Sequence, residues 1–328
     1  MASSYLDGYG SSASEKSISL CETPLTPQTS TESSNPVTEI LQLLQRRLSG
    51  ISIGEEEPWI EWKLNPSAYD ELIHIIKQDE RLCSYFEAEV RFDYSPTTNK
   101  FAVRMPSESH DVFLRRVDKD IGEQLDYMAA KAKDAEEKSF LKTIMSKGST
   151  DIPLIHHGQK LGKRSPDGQF ARERANFPAV VIEMAYSHKN LPEIADEYIL
   201  RSRGRTKCVI GLDVYYGKSP VNKTARLSKW AAESFVHNGQ EGVWAALRVD
   251  KQEFRYKDGT PNNSPAAGLR IGLEDFAIGD MPTSLLGKEI FISAATLAGY
   301  LDWTEETTPG EVIWSEREEG LLLGKPKQ

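Results

Sequence analysis

Two carboxylates stand out by their setting. Asp167 sits in the turn-like segment Ser165-Pro166-Asp167-Gly168, and Glu183 follows 16 residues later at the close of the apolar run Ala179-Val180-Val181-Ile182. Such a run is the pattern of a buried strand, and an unpaired carboxylate at its end would be costly to desolvate. Two explanations are open at this level. Glu183 reaches solvent or pairs with an arginine, or both acids converge on one divalent cation. Magnesium suits the second, because it prefers carboxylate oxygens and keeps waters that a substrate phosphate can replace. The chemistry of that arrangement is metal-assisted hydrolysis of a phosphate ester. A basic stretch surrounds Asp167: His156 and His157, Lys160, Lys163 and Arg164 before it, Arg172 and Arg174 after it. It is either a strip that holds a nucleic-acid backbone or a solvated charged loop. A second basic set, Lys218, Lys223, Arg226 and Lys229, suits a solvent-facing strand edge, and Tyr215, Tyr216 and Trp230 suit a sheet face. No G-x-S-x-G or Walker sequence occurs.

The acids need rigid elements to hold them, and a βαβ unit is legible around Glu183. The strand ending there is followed by a helical pattern through Leu191, Ile194, Ala195, Tyr198 and Ile199, stopped by Gly204, and by a second apolar run, Cys208 to Val214. Strand, helix, strand at this length predicts a right-handed crossover between parallel strands. Upstream, Ser67 and Asp70 resemble a capping box opening a helix through Leu72, Ile73 and Ile76. Alternation from Phe86 to Tyr94 predicts a strand, and Phe101, Val103 and Met105 its hairpin return. Ser107 can cap a long helix running towards Lys142, with Leu114, Val117, Ile121, Leu125 and Met128 on its core stripe. His110 falls within that stripe and Asp111 on its border. Downstream, strands are expected over Ala225 to Trp230, Val243 to Val249 and Leu269 to Leu273, and a last helix over Ala294 to Asp302.

Composition bounds the rest. The chain has 328 residues, with 40 Lys plus Arg against 49 Asp plus Glu, so its formal charge is −9. That balance argues against coating nucleic acid by charge alone, although a local basic groove can coexist with it. The isolated Cys21, Cys83 and Cys208 exclude a disulfide framework and a C-x-x-C zinc site. No apolar run approaches the roughly 18 residues of a membrane helix, and the N-terminus lacks a signal-peptide layout. An intracellular protein, in cytoplasm or nucleus and not secreted, is expected. Residues 1–36, rich in Ser and Thr, are expected to be disordered. Residues 37–58 carry a short amphipathic helix, which docks on the domain or on a protein partner, and an acidic linker, Glu55 to Glu57. The folded domain is expected over residues 59–303 and a charged tail over 304–328.

The segment Ser165-Pro166-Asp167-Gly168, followed by Pro178 through Lys189, resembles the core of the restriction-endonuclease-like PD-(D/E)XK nuclease superfamily. More closely, it is similar to a large group of fungal proteins carrying that domain. The likeness extends to Arg104-Met105-Pro106-Ser107 with His110-Asp111, to Ala195 through Ile199, to Val209 through Asp213 and to Leu269 through Phe276. The resemblance implies an α/β (α+β) fold, a central mixed sheet flanked by helices, and phosphodiester hydrolysis of DNA or RNA with magnesium or manganese. It also implies that Asp167 and Glu183 hold the cation, joined by an acid on the first core helix. Asp111 matches that place, with Glu108 an alternative and His110 projecting better inward. Homodimers are common in this superfamily.

The lysine of the motif is where the chain departs. It is expected two residues after the second acid, on the same strand face, to orient the attacking water and offset developing charge. That position is Ala185. Lys189 has the parity of Glu183, but six residues of strand would carry it about 20 Å away, so it returns only if the chain turns near Ser187. Lys189 is the leading candidate and His188 the second. Ala185 favours a competing expectation, a catalytically degenerate domain that binds nucleic acid or protein through the same groove.

Overall fold

The computed structural model describes residues 35–50, 59–104, 107–156, 159–185, 189–215 and 222–307. The Ser/Thr-rich start, Glu55 to Glu57, His157, His188, Tyr216, Lys218 and the chain beyond Thr307 lie outside the described residues. In chain order the elements are α1 (Pro36–Leu48), β1 (Trp59–Lys63), α2 (Pro66–Gln78), α3 (Glu80–Ala88), β2 (Arg91–Ser95), β3 (Lys100–Arg104), α4 (Glu108–Ala130) and α5 (Ala135–Lys142). Then come β4 (Ile144–Ser146), β5 (Ile152–His156), β6 (Gln159–Arg164), β7 (Gly168–Arg172), β8 (Val180–Ala185), α6 (Leu191–Arg201) and β9 (Cys208–Val214). The chain closes with β10 (Ala225–His237), β11 (Gln240–Arg255), β12 (Gly268–Gly272), β13 (Glu289–Ser293) and α7 (Ala294–Thr307).

The architecture is α/β, with one mixed six-stranded sheet, two antiparallel sheets and flanking helices among the described residues. A five-stranded sheet has the order β1-β3-β2-β6-β5 and a six-stranded sheet the order β11-β10-β9-β8-β7-β4. Within the second, β8 and β9 are parallel, Val180 pairing with Cys208 and Glu183 with Gly211. The expected βαβ unit is therefore present. Even-numbered residues of β8 (Val180, Ile182, Met184) join a core under α4, α5 and α7, while odd-numbered Val181 and Ala185 join a second core under α6. Glu183 shares that odd parity and so faces α6. Gly211, its pairing partner, lets α6 come close: a Cβ there would lie 2.9 Å from Leu191 Cδ1 and 3.0 Å from Trp230 Cζ3. A third core holds α1, α2 and α3 against the five-stranded sheet, with Val37, Ile40 and Leu44 buried in it, so α1 docks on the domain.

Several local expectations need correction. The alternation from Phe86 to Tyr94 is strand only from Arg91. Before it, Asp79 accepts a hydrogen bond from Leu82 N at 3.0 Å and caps α3, whose Leu82 and Phe86, one helical turn apart, are both buried. The cap of α2 is Asn65, which accepts from Ala68 N at 2.9 Å, in place of Ser67. The long helix stops at Ala130; Asp134 accepts from Glu136 N and Glu137 N and opens α5. Glu183 is not at an exposed strand end: it lies inside β8 and is fully buried. The basic stretch around Asp167, for which a nucleic-acid strip and a charged loop are both open from sequence, contains the strands β6 and β7.

Candidate acid-pair site

The site lies where the two sheets meet, and the chain itself makes the junction. β6 of the first sheet runs through Ser165, Pro166 and Asp167 directly into β7 of the second. The β7–β8 ladder ends at the pair Gly168 and Ile182, so Met184 N–H lies past the last pair. Asp167 Oδ2 accepts it at 2.8 Å, which continues the ladder through a side chain and fixes the carboxylate beside Glu183.

Lys189 and Arg104 then clamp the two acids. Lys189 Nζ donates to Asp167 Oδ2 and to Glu183 Oε2, both at 2.8 Å. The two oxygens therefore lie within twice that distance of each other, inside the roughly 8 Å beyond which carboxylates could not share a magnesium ion. Arg104, at the end of β3, donates from Nη1 to Asp167 Oδ1 at 2.9 Å and from Nη2 to Glu183 Oε1 and Oε2 at 3.2 and 3.1 Å. Its Nε donates to Asp93 Oδ2 at 2.9 Å. Asp93 is held in turn by Ser165 N at 2.8 Å and by Arg164 Nη1 at 3.3 Å, and Arg164 Nε reaches Glu197 of α6 at 2.7 Å. Tyr198, next on α6, donates its hydroxyl to Glu183 Oε1 at 2.6 Å. The ring of Trp59 lies 5.3 Å from both the Arg104 guanidinium and Lys189 Nζ, a cation–π contact for each.

Burial is nearly complete: the side chains of Asp167, Arg104 and Lys189 are 5% exposed and that of Glu183 is 0%. Three basic side chains, Arg104, Arg164 and Lys189, meet four acidic ones, Asp93, Asp167, Glu183 and Glu197. His110 adjoins this network. Ser107 caps α4 by accepting from His110 N at 3.3 Å, as expected, and the imidazole stands with Nε2 3.4 Å from Asp167 Oδ2 and Nδ1 3.3 Å from Asp111 Oδ1. Burial acts to lower its pKa, but the Asp167 charge and the hydrogen bonds to both acids outweigh that and raise it above 6.5. Burial likewise acts to raise Asp167, and Lys189, Arg104 and His110 together hold it well below the usual carboxylate range. Tyr198 is pushed far up by burial and then by the charges of Glu183 and Asp93, so it stays a hydrogen-bond donor.

The predicted residues are thus distributed unequally. Asp167, Glu183 and Lys189 come together. Asp111 does not join them; His110 stands between it and Asp167, and its carboxylate is 36% exposed beside Arg91. Asp111 and Asp167 do line one cleft of about 260 Å³, together with Arg91, Arg115, Asp118 and Ser149. Part of the supposed basic strip is already engaged: Arg164 is buried in the acid network, Lys163 bonds Asp151 at 2.6 Å, and Arg172 lies over Phe140. Lys223, Arg226 and Lys229 bond Glu305, Glu253 and Asp275. Arg104, Asp93, Glu197 and Tyr198 went unassigned from sequence, because Arg104 lies 63 and 79 residues from its acids and no local period connects them.

Among the described residues no group of three or more His, Cys, Asp or Glu side chains is arranged to hold a metal ion. The donor set that does exist fits one hard divalent cation. Two carboxylate oxygens converge on a point already filled by a cationic nitrogen, and magnesium is commonly bound by one or two carboxylates, with water and phosphate completing its shell. Among the described residues no helix is long and apolar enough to cross a membrane.

No protein-family model matches the chain, and no curated protein matches it. Among solved structures, a crystal structure from Anabaena variabilis ATCC 29413 described as a "putative nuclease belonging to DUF820" is similar at 12% identity and a TM-score of 0.31, over 64% of this chain and 90% of that one.

Proposed function

We propose that the protein is a divalent-cation-dependent nuclease that hydrolyses phosphodiester bonds of DNA or RNA at the Asp167–Glu183 pair. The observation that carries this is the position of Lys189 Nζ, 2.8 Å from both acids. Ala185 vacates the strand position of the motif lysine, and Lys189, entering from the start of α6, brings an ammonium to the same two carboxylates. Aspartate, glutamate and lysine therefore meet although their linear spacing is unusual.

Asp167 Oδ2 and Glu183 Oε2 would hold magnesium or manganese, which supplies polarisation of the phosphate and acidification of water. The chain's own residues do the rest. Arg104 fixes both carboxylates from one side, which is preorganisation rather than chemistry. Tyr198 and Met184 N orient the remaining lone pairs, and His110 holds Asp167 in place. Lys189 offers a flexible ammonium beside the acids, suited to offset charge developing on a phosphorane. Arg91 and Arg115 line the cleft that reaches Asp167 and can meet the flanking phosphate.

A second reading has its own support. Every oxygen of the pair is already hydrogen-bonded and Glu183 is wholly out of water, which suits a catalytically degenerate domain that binds nucleic acid or protein.

A cleavage assay on single-stranded, duplex and structured DNA and RNA, with magnesium, manganese and chelator arms, separates the two. Metal-dependent cleavage by the wild type that disappears in Asp167→Ala and Glu183→Ala supports the nuclease. Cleavage that survives both substitutions comes from a contaminant, and absence of cleavage in every arm favours the binding domain.

A further inference from the structure

The acid pair has little room for cations. Arg104 occupies Asp167 Oδ1 and reaches both oxygens of Glu183, and Tyr198 shares Glu183 Oε1. Arg104 is itself anchored: its Nε is bonded to Asp93, which Ser165 N and Arg164 fix from behind. Expelling the guanidinium would leave three buried carboxylates short of a partner, a strongly unfavourable change. The other face of the pair, Asp167 Oδ2 and Glu183 Oε2, is held by Lys189 Nζ. A lysine ammonium is a compact point charge on a flexible stem, unlike the fixed fork of arginine. Lys189 is also bound to these two carboxylates alone among the described acids. One cation position is permanent and one is exchangeable.

Resting on the nuclease reading of the same site, we infer that the acid pair admits a single divalent cation, and only by expelling Lys189 Nζ. Arg104 takes the place a second metal ion would need. Lys189 is the resident counter-ion that keeps the buried acids neutralised until a divalent ion arrives. Its release then frees an ammonium beside the acids, where phosphate would meet it. Ammonium and metal ion are competitors, so the lysine weakens metal binding even while it serves the reaction.

Calorimetric titration of the full chain with Mn2+ alone, without nucleic acid, tests this in the wild type and in Lys189→Met. The expected stoichiometry is one ion per chain in both, bound at least about tenfold more tightly by Lys189→Met, because a charge within a few ångströms of the ion has been removed. Amine labelling of the wild type, read at Lys189 by mass spectrometry, is expected to speed up severalfold on adding Mg2+. That second readout decides the matter if Lys189→Met does not fold. Two Mn2+ per chain, equal or weaker binding by Lys189→Met, or labelling unchanged or slowed by Mg2+ would each overturn the inference. One bound ion with Lys189 released but no cleavage of any substrate would remove the nuclease reading and leave this inference standing. No Mn2+ binding at all would overturn both.

Discussion

Arg104 and Arg255 are both withdrawn from water, yet their partners are placed in opposite ways. Arg255, fully buried, donates to Lys223 O at 2.7 Å, to Asp302 Oδ1 at 2.9 Å and to Glu305 Oε1 at 2.7 Å. Its two carboxylates belong to α7 and remain 42% and 24% exposed. They keep much of their hydration, so the cluster acts as a staple between β11 and the last helix. The carboxylates around Arg104 are 4%, 5% and 0% exposed, and come from β2, the β6–β7 junction and β8. A buried ion cluster seldom outperforms apolar packing of equal volume in stability. Stability alone therefore explains Arg255 better than it explains Arg104. Convergent, desolvated acids with a displaceable lysine are the arrangement expected where charge is needed for chemistry.

The contrast can be broken by substitution. Arg104→Met leaves three buried carboxylates each short of one partner and is expected to cost about 3–5 kcal/mol. Arg255→Met, whose acids can turn to solvent, should cost less, about 1–3 kcal/mol. Urea denaturation measures both; equal losses would erase the distinction between the two regions. Tyr198→Phe removes one donor from buried Glu183 while keeping the ring, and about 2 kcal/mol is expected. A loss near zero would mean that Glu183 does not depend on the hydroxyl. Raising salt to 1 M, where the screening length is about 3 Å, should reduce the difference between wild type and Arg255→Met and leave that for Arg104→Met nearly unchanged.

The smallest effect concerns an acid with no cation at all among its described partners. Asp118, in the cleft beside Asp167, accepts from the Ser146 hydroxyl at 2.7 Å, and burial raises its pKa above 3.8 against that hydrogen bond. A carboxyl with a raised folded-state pKa contributes stability below its unfolded pKa and loses it as pH climbs through the folded value. Asp118→Asn should therefore match wild type near pH 3 and exceed it slightly at pH 7. Parallel melting curves at the two pH values check this, and an asparagine variant less stable at pH 7 would refute it.

What was legible in the sequence follows from the range of the signals. The strand at Glu183, the crossover helix stopped by Gly204, whose φ is 72°, and the parallel return at Cys208–Val214 all rest on local periodicity. The capping of α4 by Ser107 and the inward projection of His110 do too. The misreadings came where two periods overlap or a cap intervenes: Phe86 satisfies a strand alternation and a helical stripe at once, and Asp79 decides for the helix. The break before Asp134 was hidden by charged residues that suit a helix and a loop equally well. Glu183 could be picked out because a carboxylate closing an apolar run is locally conspicuous, and Asp167 because it stands in a Ser-Pro-Asp-Gly turn before that run. Arg104 could not, since an arginine at the end of a hairpin strand looks like a surface residue until the distant β7 and β8 are packed against it. Lys189 lay between these cases: its parity was readable, its return to the acids was not.

Cleavage by Lys189→Ala, measured beside wild type in saturating Mg2+ on whichever nucleic-acid form the wild type cuts, tests the central claim most directly. The variant is expected to retain its fold by circular dichroism and to lose about 100-fold or more in single-turnover rate, the scale for removing a group that stabilises transition-state charge. A folded Lys189→Ala protein that cleaves at the wild-type rate would contradict the assignment of Lys189 and remove the observation that carries the nuclease reading.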